Sequence, residues 1–208
     1  MTDSAVDATS ALGNHPVVTI KLAATADELM QCYALRAAVY MGEQRCPYAE
    51  EFDGNDHTAS HIMLYVDGEP AASMRVRWFG DFAKFERAVI LKRYRSMGLF
   101  MPFVGWVKEF ARKKGFSRVY LHSQHRLWPI MERGGFRQVD GRVFHFSDHE
   151  YGAFTCDLEV AEDAPTIFSD PLLINRPEDQ LDAPGILEKS AQRGATNPHA
   201  GWAERRMN

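Results

Sequence analysis

Residues 83–116 read "AKFERAVILKRYRSMGLFMPFVGWVKEFARKKGF", and no other stretch restricts the fold as much. "AKFERAVI" has the β-branched and aromatic content of a strand. Lys92, Arg93, Arg95 and Gly98 follow in a short loop. Then Phe100, Phe103, Val104, Val107, Phe110 and Ala111 recur at helical spacing, ending at "RKKG", a basic last turn with a glycine stop. A strand that passes through a tight turn into a one-sided helix must fold that helix back over a sheet. The helix start at about Leu99 also turns unpaired backbone N–H groups, with the positive end of the helix dipole, toward the basic loop. Such a junction can hold an anion; equally, it is a solvated basic turn before an amphipathic helix.

The rest of the chain supplies the sheet. "VVTIKLA" reads as a strand, and "TADE" is a capping box, Thr25 with Glu28, opening a helix to about Tyr40 whose expected buried stripe is Leu29, Tyr33, Ala37 and Tyr40. After an irregular segment from Met41 to Ser60, "HIMLYV", "AASMRVRWF" and "AKFERAVI" read as three antiparallel strands, the first pair joined by "DGEP". Beyond the central helix come "RVYLHS" as a strand, "RLWPIMERGGF" as a short helix and turn, and "RVFHF" and "AFTCDLEV" as closing strands. The expected architecture is α+β: a mixed, mostly antiparallel sheet with helices on both faces. Trp78, Trp106 and Trp128 are expected in the core or a pocket wall.

Composition bounds the function. Residues 1–15 are small and polar and read as a tail. Residues 16–162 hold the domain. Residues 163–208 carry five of the ten prolines and read as an extension, although Leu172, Leu173, Ile174, Ile186 and Leu187 suit an arm packed on its own domain or on a second copy in a homodimer. A net charge of −4 argues against nucleic acid or an anionic membrane as partner. Cys32, Cys46 and Cys156 are odd in number and lack Cys-x-x-Cys spacing, which argues against a disulfide framework or structural zinc. With no signal peptide or apolar span in the sequence, the expected compartment is the cytoplasm. His145, Asp148 and His149 carry groups that ligate metals, but their strand-and-turn placement favours ordinary hydrogen bonding, and no metal is expected.

The run "KFERAVILKRYRSMGLF" resembles the strand-loop-helix motif of the GNAT superfamily of acyl-CoA-dependent N-acyltransferases, with Arg95, Gly98 and Phe100 at its R-x-x-G-x-G/A positions. "RVYLHSQ" followed by "PIMERGGF" resembles that superfamily's next strand and its "YEKLGF"-type helix end, and the likeness runs from about Val17 to Leu158. The resemblance implies acetyl-CoA or another acyl-CoA as cosubstrate. Main-chain groups of Ala88, Val89 and Ile90 would hold the pantetheine arm. Arg95, Ser96, Met97, Gly98, Leu99 and Phe100 would hold the pyrophosphate, with Arg93 or Lys92 near the 3′-phosphate. Phe100 stands where a small residue is usual, and must point into the core to leave the cradle open. Met131 stands where many relatives carry a proton-donating tyrosine, leaving Tyr120, Tyr151 or water for that task.

Arg36, Tyr40, Glu43 and Gln44, then Glu51-x-Asp53-x-x-Asp56, with Arg75 and Glu86 downstream, also resemble the acyl-homoserine-lactone synthases. Tyr48 replaces the expected loop tryptophan. The expected activity is transfer of an acyl group to the amine of a small-molecule or amino-acid-like acceptor. Glu86 is the first candidate base, with Glu51 and His122 behind it, and a main-chain N–H near Ile90 would polarise the thioester carbonyl. Arg36, Asp53, Asp56 and Arg75 are candidate acceptor contacts; alternatively the acids cap turns and pair with Arg36 and Arg75. An acyl-CoA-binding module without turnover and a synthase-like enzyme are the other readings.

Overall fold

The computed structural model describes residues 16–190 and 192–194; the expected N-terminal tail lies outside them. Seven strands form one sheet: β1 (Val18–Leu22), β2 (Ser60–Val66), β3 (Glu69–Trp78), β4 (Ala83–Ile90), β5 (Arg118–Gln124), β6 (Arg137–Phe146) and β7 (His149–Asp157). Their order across the sheet is β1-β2-β3-β4-β5-β7-β6. Only β4 and β5 are parallel, because the chain crosses over one face through α3 (Phe100–Lys113) before β5 begins. The α+β architecture is as expected.

On α3, Phe103, Val104, Val107, Phe110 and Ala111 are buried against Ile62, Met74, Val76, Phe85, Val119 and Phe154 of the sheet, making the larger core. Trp78, Trp106 and Trp128 pack on its margin. The opposite face carries α1 (Ala26–Arg36), which continues as a π-helical turn over Ala37–Glu43. There the buried stripe is Cys32, Leu35 and Val39, packed on Met63 and Val89. This is one residue out of phase with the expected Leu29, Tyr33, Ala37 and Tyr40. The two tyrosines lie at the edge of the apolar cluster, where the Tyr40 hydroxyl donates to the Ala88 carbonyl at 3.1 Å.

The start of α1 is fixed locally. Thr25 Oγ1 accepts from the Glu28 N–H at 3.2 Å, and Glu28 Oε2 accepts from the Thr25 N–H at 3.1 Å. Glu28 also pairs with Lys21 at 2.5 Å, which holds its carboxyl at about 2. Thr25→Ala removes the cap and is expected to lower stability by about 1 kcal/mol, read as a lower urea midpoint with an unchanged slope.

Other boundaries differ from the sequence reading. Met41–Ser60 contains a short α2 (Tyr48–Glu51) and a 3₁₀ turn (Asp56–Thr58), and the basic loop is itself a 3₁₀ turn over Lys92–Met97. β6 starts five residues before the expected Arg142, because Asp140 and Gly141 adopt positive φ (50° and 62°) and carry the strand through an irregular register against β7. α4 (Trp128–Arg133) lies beside β5 with Met131 buried. A second compact unit runs from Pro165. In it, α5 (Pro171–Ile174) is capped by Asp170, whose Oδ1 accepts from the Leu172 N–H, and Arg176 pairs with Glu188 of α6 (Ile186–Ser190) at 2.5 Å.

Candidate active site

β4 and β5 pair over three positions only, from Ala83↔Val119 to Phe85↔Leu121. Both strands run on, β4 to Ile90 and β5 to Gln124, without pairing to each other. The cause lies in β4: Arg87 has φ of +54°, and the register against β3 slips between Ser73↔Val89 and Arg75↔Glu86. That is one extra residue in β4, a bulge that bends the strand away from its parallel neighbour. Ala88, just past it, is exposed. Glu86 sits where the strands part.

The charged residues named from the sequence converge here. Arg36 and Arg75 are wholly buried, and Glu51 is 1% exposed. Arg36 reaches Glu51 and Asp56, each at 2.5 Å. The Arg75 guanidinium binds Asp53 through two parallel hydrogen bonds of 2.8 and 2.7 Å, and reaches Asp56 and Glu86 at 2.9 Å. Burial favours the neutral forms of Asp53 and Asp56, yet hydrogen bonds from Arg75, joined at Asp56 by Arg36 and at Asp53 by the Asn55 N–H, hold both carboxyls below the usual range. At Glu51 burial wins and its carboxyl is pushed up, Arg36 notwithstanding. Its Oε2 lies 3.1 Å from Arg87 Nε, but off the line of a hydrogen bond, and is a buried acceptor without one. Arg36, Arg75 and Glu51 therefore lie beneath the surface and brace it. The acids do pair with the two arginines, the alternative the sequence left open.

Glu86 is different. Its Oε1 accepts from Arg75 Nε, and its Oε2 is 2.9 Å from Lys84 Nζ. Lys84 and Glu86 project to the same side of the sheet as Tyr120 and His122, which alternate in the same phase on β5. Tyr120 Oη and His122 Nε2 are 2.9 Å apart. Burial, with the Lys84 charge added, lowers the His122 imidazole to about 4, against the opposing pull of Glu86. His122 is thus neutral near pH 7 and beside the carboxylate.

Below β4, the loop ends at Gly98 in a left-handed conformation (φ +68°) with open space where a Cβ would stand. Leu99 is buried and Phe100 packs on the core, so its ring does not fill the turn. No side chain caps α3. Lys92, Arg93, Arg95, Ser96 and Met97 are exposed, and Arg95 donates to the Ile90 carbonyl at 2.9 Å and to Glu43 at 2.7 Å.

The sequence reading did not single out Lys84 or Arg87. Arg87 pairs with Glu51 at 3.1 Å and Asp53 at 3.2 Å. The alternation Lys84-x-Glu86 was a usable signal; the bulge that turns Arg87 inward was not. Among the described residues, no group of three or more His, Cys, Asp or Glu side chains is placed to hold a metal, and no helix is long and apolar enough to cross a membrane.

The model of the family described as "Acetyltransferase (GNAT) family" matches residues 23–136, more than half of the 208 residues. The chain belongs to the GNAT acetyltransferase family. It is an acyltransferase. Among GNAT relatives, the uncharacterized N-acetyltransferase YjcF of Bacillus subtilis (strain 168) is 27% identical over 123 residues, 59% of this chain and 88% of that protein. A solved acyl-CoA N-acyltransferase from Pseudomonas aeruginosa superposes with a TM-score of 0.61 at 27% identity, over 68% of this chain and 99% of that one. The GNAT fold is shared as well with the CoA-dependent acyl-homoserine lactone synthase BjaI, at a TM-score of 0.57 and 13% identity over 71% of this chain and 85% of that one. The synthase resemblance thus extends to the fold.

Proposed function

We propose that the protein transfers the acyl group of acetyl-CoA or a related acyl-CoA to the amine of a small-molecule or amino-acid-like acceptor by direct attack, with Glu86 as the base. The observation that carries this is the parting of β4 and β5 beside Glu86. It leaves a strand edge free for an extended amide-bearing arm, within reach of a carboxylate. Main-chain groups of Ala88, Val89 and Ile90 suit that arm, although the Ala88 carbonyl already accepts from Tyr40. The open turn at Gly98 and the exposed Lys92, Arg93 and Arg95 suit the phosphates.

An ammonium at Glu86 gives its proton to the carboxylate, directly or through water. The amine nitrogen then bonds to the thioester carbonyl carbon, the carbon–sulfur bond breaks, the nitrogen sheds its second proton to water as the amide forms, and the thiolate takes a proton. Tyr120, Tyr151 or water supplies it, since Met131 is buried and has none to give. The role of Arg36 and Arg75 in this reading is to hold Asp53, Asp56 and Glu86 in place.

A thermal-shift titration with acetyl-CoA and longer acyl-CoAs, followed by thiol release against an amine panel, tests the reading; stabilisation without release for any amine sinks it. Gly98→Val strains the left-handed turn and fills its open side, and Arg95→Glu replaces a cation by an anion. Each is expected to weaken CoA binding at least tenfold with the fold retained. Unchanged affinity in both folded variants would move the phosphate site elsewhere.

A further inference from the structure

We infer that the preferred acceptor is a monoamine with an aromatic body, seated against the rings of β5 and the β6–β7 hairpin; this rests on the reading of Glu86 as the acceptor-side base. Along the face that carries Glu86, rings follow one another without a break. Phe82 meets Tyr120 at 5.6 Å between centroids, Tyr120 meets His122 at 5.1 Å, His122 meets Phe144 at 4.7 Å, Phe144 meets Phe146 at 5.3 Å and Phe146 meets Tyr151 at 5.1 Å. Strand alternation explains the shared side: Phe144 pairs with Tyr151, Tyr151 with Gln124, and His122 with Ala153. Because His122 is neutral, it presents an uncharged ring beside Glu86.

These rings are not sealed in the core. Phe146 is 53% exposed, while Tyr120, His122, Phe144 and Tyr151 are half-buried. α1 packs on β2, β3 and β4, whereas the ring row lies along β5, β7 and β6. Faces of rings with centroids about 5 Å apart suit a further ring placed edge-on or offset. A short apolar stem would then bring an amine to Glu86.

Charge narrows the class. The carboxylates Glu51, Asp53, Asp56 and Glu86 are met by Arg36, Arg75, Arg87 and Lys84. Arg77 adds one more cation 3.9 Å from Glu86. Glu86, at the parting of the strands, is the one acid of this cluster assigned to an incoming ammonium; Glu51, Asp53 and Asp56 are each held by arginines, so the second charge of a polyamine or aminoglycoside would meet no free carboxylate of the cluster.

The test uses the full chain with acetyl-CoA and thiol release as readout. The panel is phenethylamine, tyramine and tryptamine against ethanolamine, spermidine and kanamycin. The arylalkylamines are expected to exceed ethanolamine at least tenfold in kcat/KM, and spermidine by more. Phe144→Ala and Phe146→Ala are expected to lower the phenethylamine-to-ethanolamine ratio about tenfold each. A preference for spermidine or kanamycin, or no advantage of the arylalkylamines over ethanolamine, overturns the inference. If acetyl-CoA binds but no amine turns over, the catalytic reading fails by itself, and the acceptor class is then decided by melting temperature in the presence of CoA. Stabilisation by tyramine and not by spermidine sustains it; no stabilisation by tyramine overturns it.

Discussion

Glu86→Gln is expected to lower turnover by roughly 10² to 10⁴ while acetyl-CoA affinity stays within about twofold. The amide keeps the shape of the carboxylate and loses the proton acceptor. Stability is expected to change little, about 1 kcal/mol. Arg75 retains Asp53 and Asp56, and Lys84 is partly exposed and can be solvated. Steady-state thiol release across pH, set beside calorimetric titration of acetyl-CoA, separates the outcomes. Lost turnover with retained binding places Glu86 in the chemistry. Retained turnover removes it, and neutral His122 becomes the group to test next.

Arg75→Met is expected to cost about 3 to 5 kcal/mol of stability. The side chain is wholly buried and is held by Asp53, Asp56 and Glu86. Removing it leaves three carboxylates facing each other with less compensation. The pH dependence gives the expectation a sign. Asp53 and Asp56 have folded values depressed below the ordinary carboxylate range, so the stability they contribute is present above about pH 4 and is lost as pH falls through the depressed values. The gap between wild type and variant should thus be widest near neutrality and narrow under acid. Urea melts at pH 7 and pH 3.5 would show it, and a gap independent of pH would mean that packing, not charge, is what Arg75 contributes.

The strand-turn-helix run and the meander before it were legible because alternation and helical spacing are local properties, and β4 begins and ends where its residues indicate. The phase of α1 was not. Counting apolar residues gives Tyr33 and Tyr40 full weight, while their hydroxyls draw them to the cluster's edge and leave the centre to Cys32, Leu35 and Val39. The acids of the Glu51–Asp56 segment could be named, but not which partner each would choose. That depends on Arg36 and Arg75 lying side by side, which follows from α1 crossing β3. Arg87 shows the limit most plainly. Its place beside Glu51 and Asp53 comes from a bulge, and a bulge is a mismatch between two strands that neither strand's residues display alone. The ring row was spelled out in "VFHF" and "YLH", yet its continuity needed the β5–β7–β6 order of the sheet.

Because only three rungs join β4 to β5, the sheet is two panels, β1–β4 and β5–β7–β6, sharing a narrow seam. A sheet so joined bends more easily at the seam than within either panel, and amides flanking it should exchange with solvent faster than those of β2 and β3. An occupant that bonds to the free edge of β4 would supply the missing rungs. Acyl-CoA would then act as a splice as well as a donor: it would stiffen the sheet, and set the distance between the carboxylate on one panel and the rings on the other. Acyl-CoA would thereby help to shape the site for the second substrate, which favours an order of binding in which the amine arrives last.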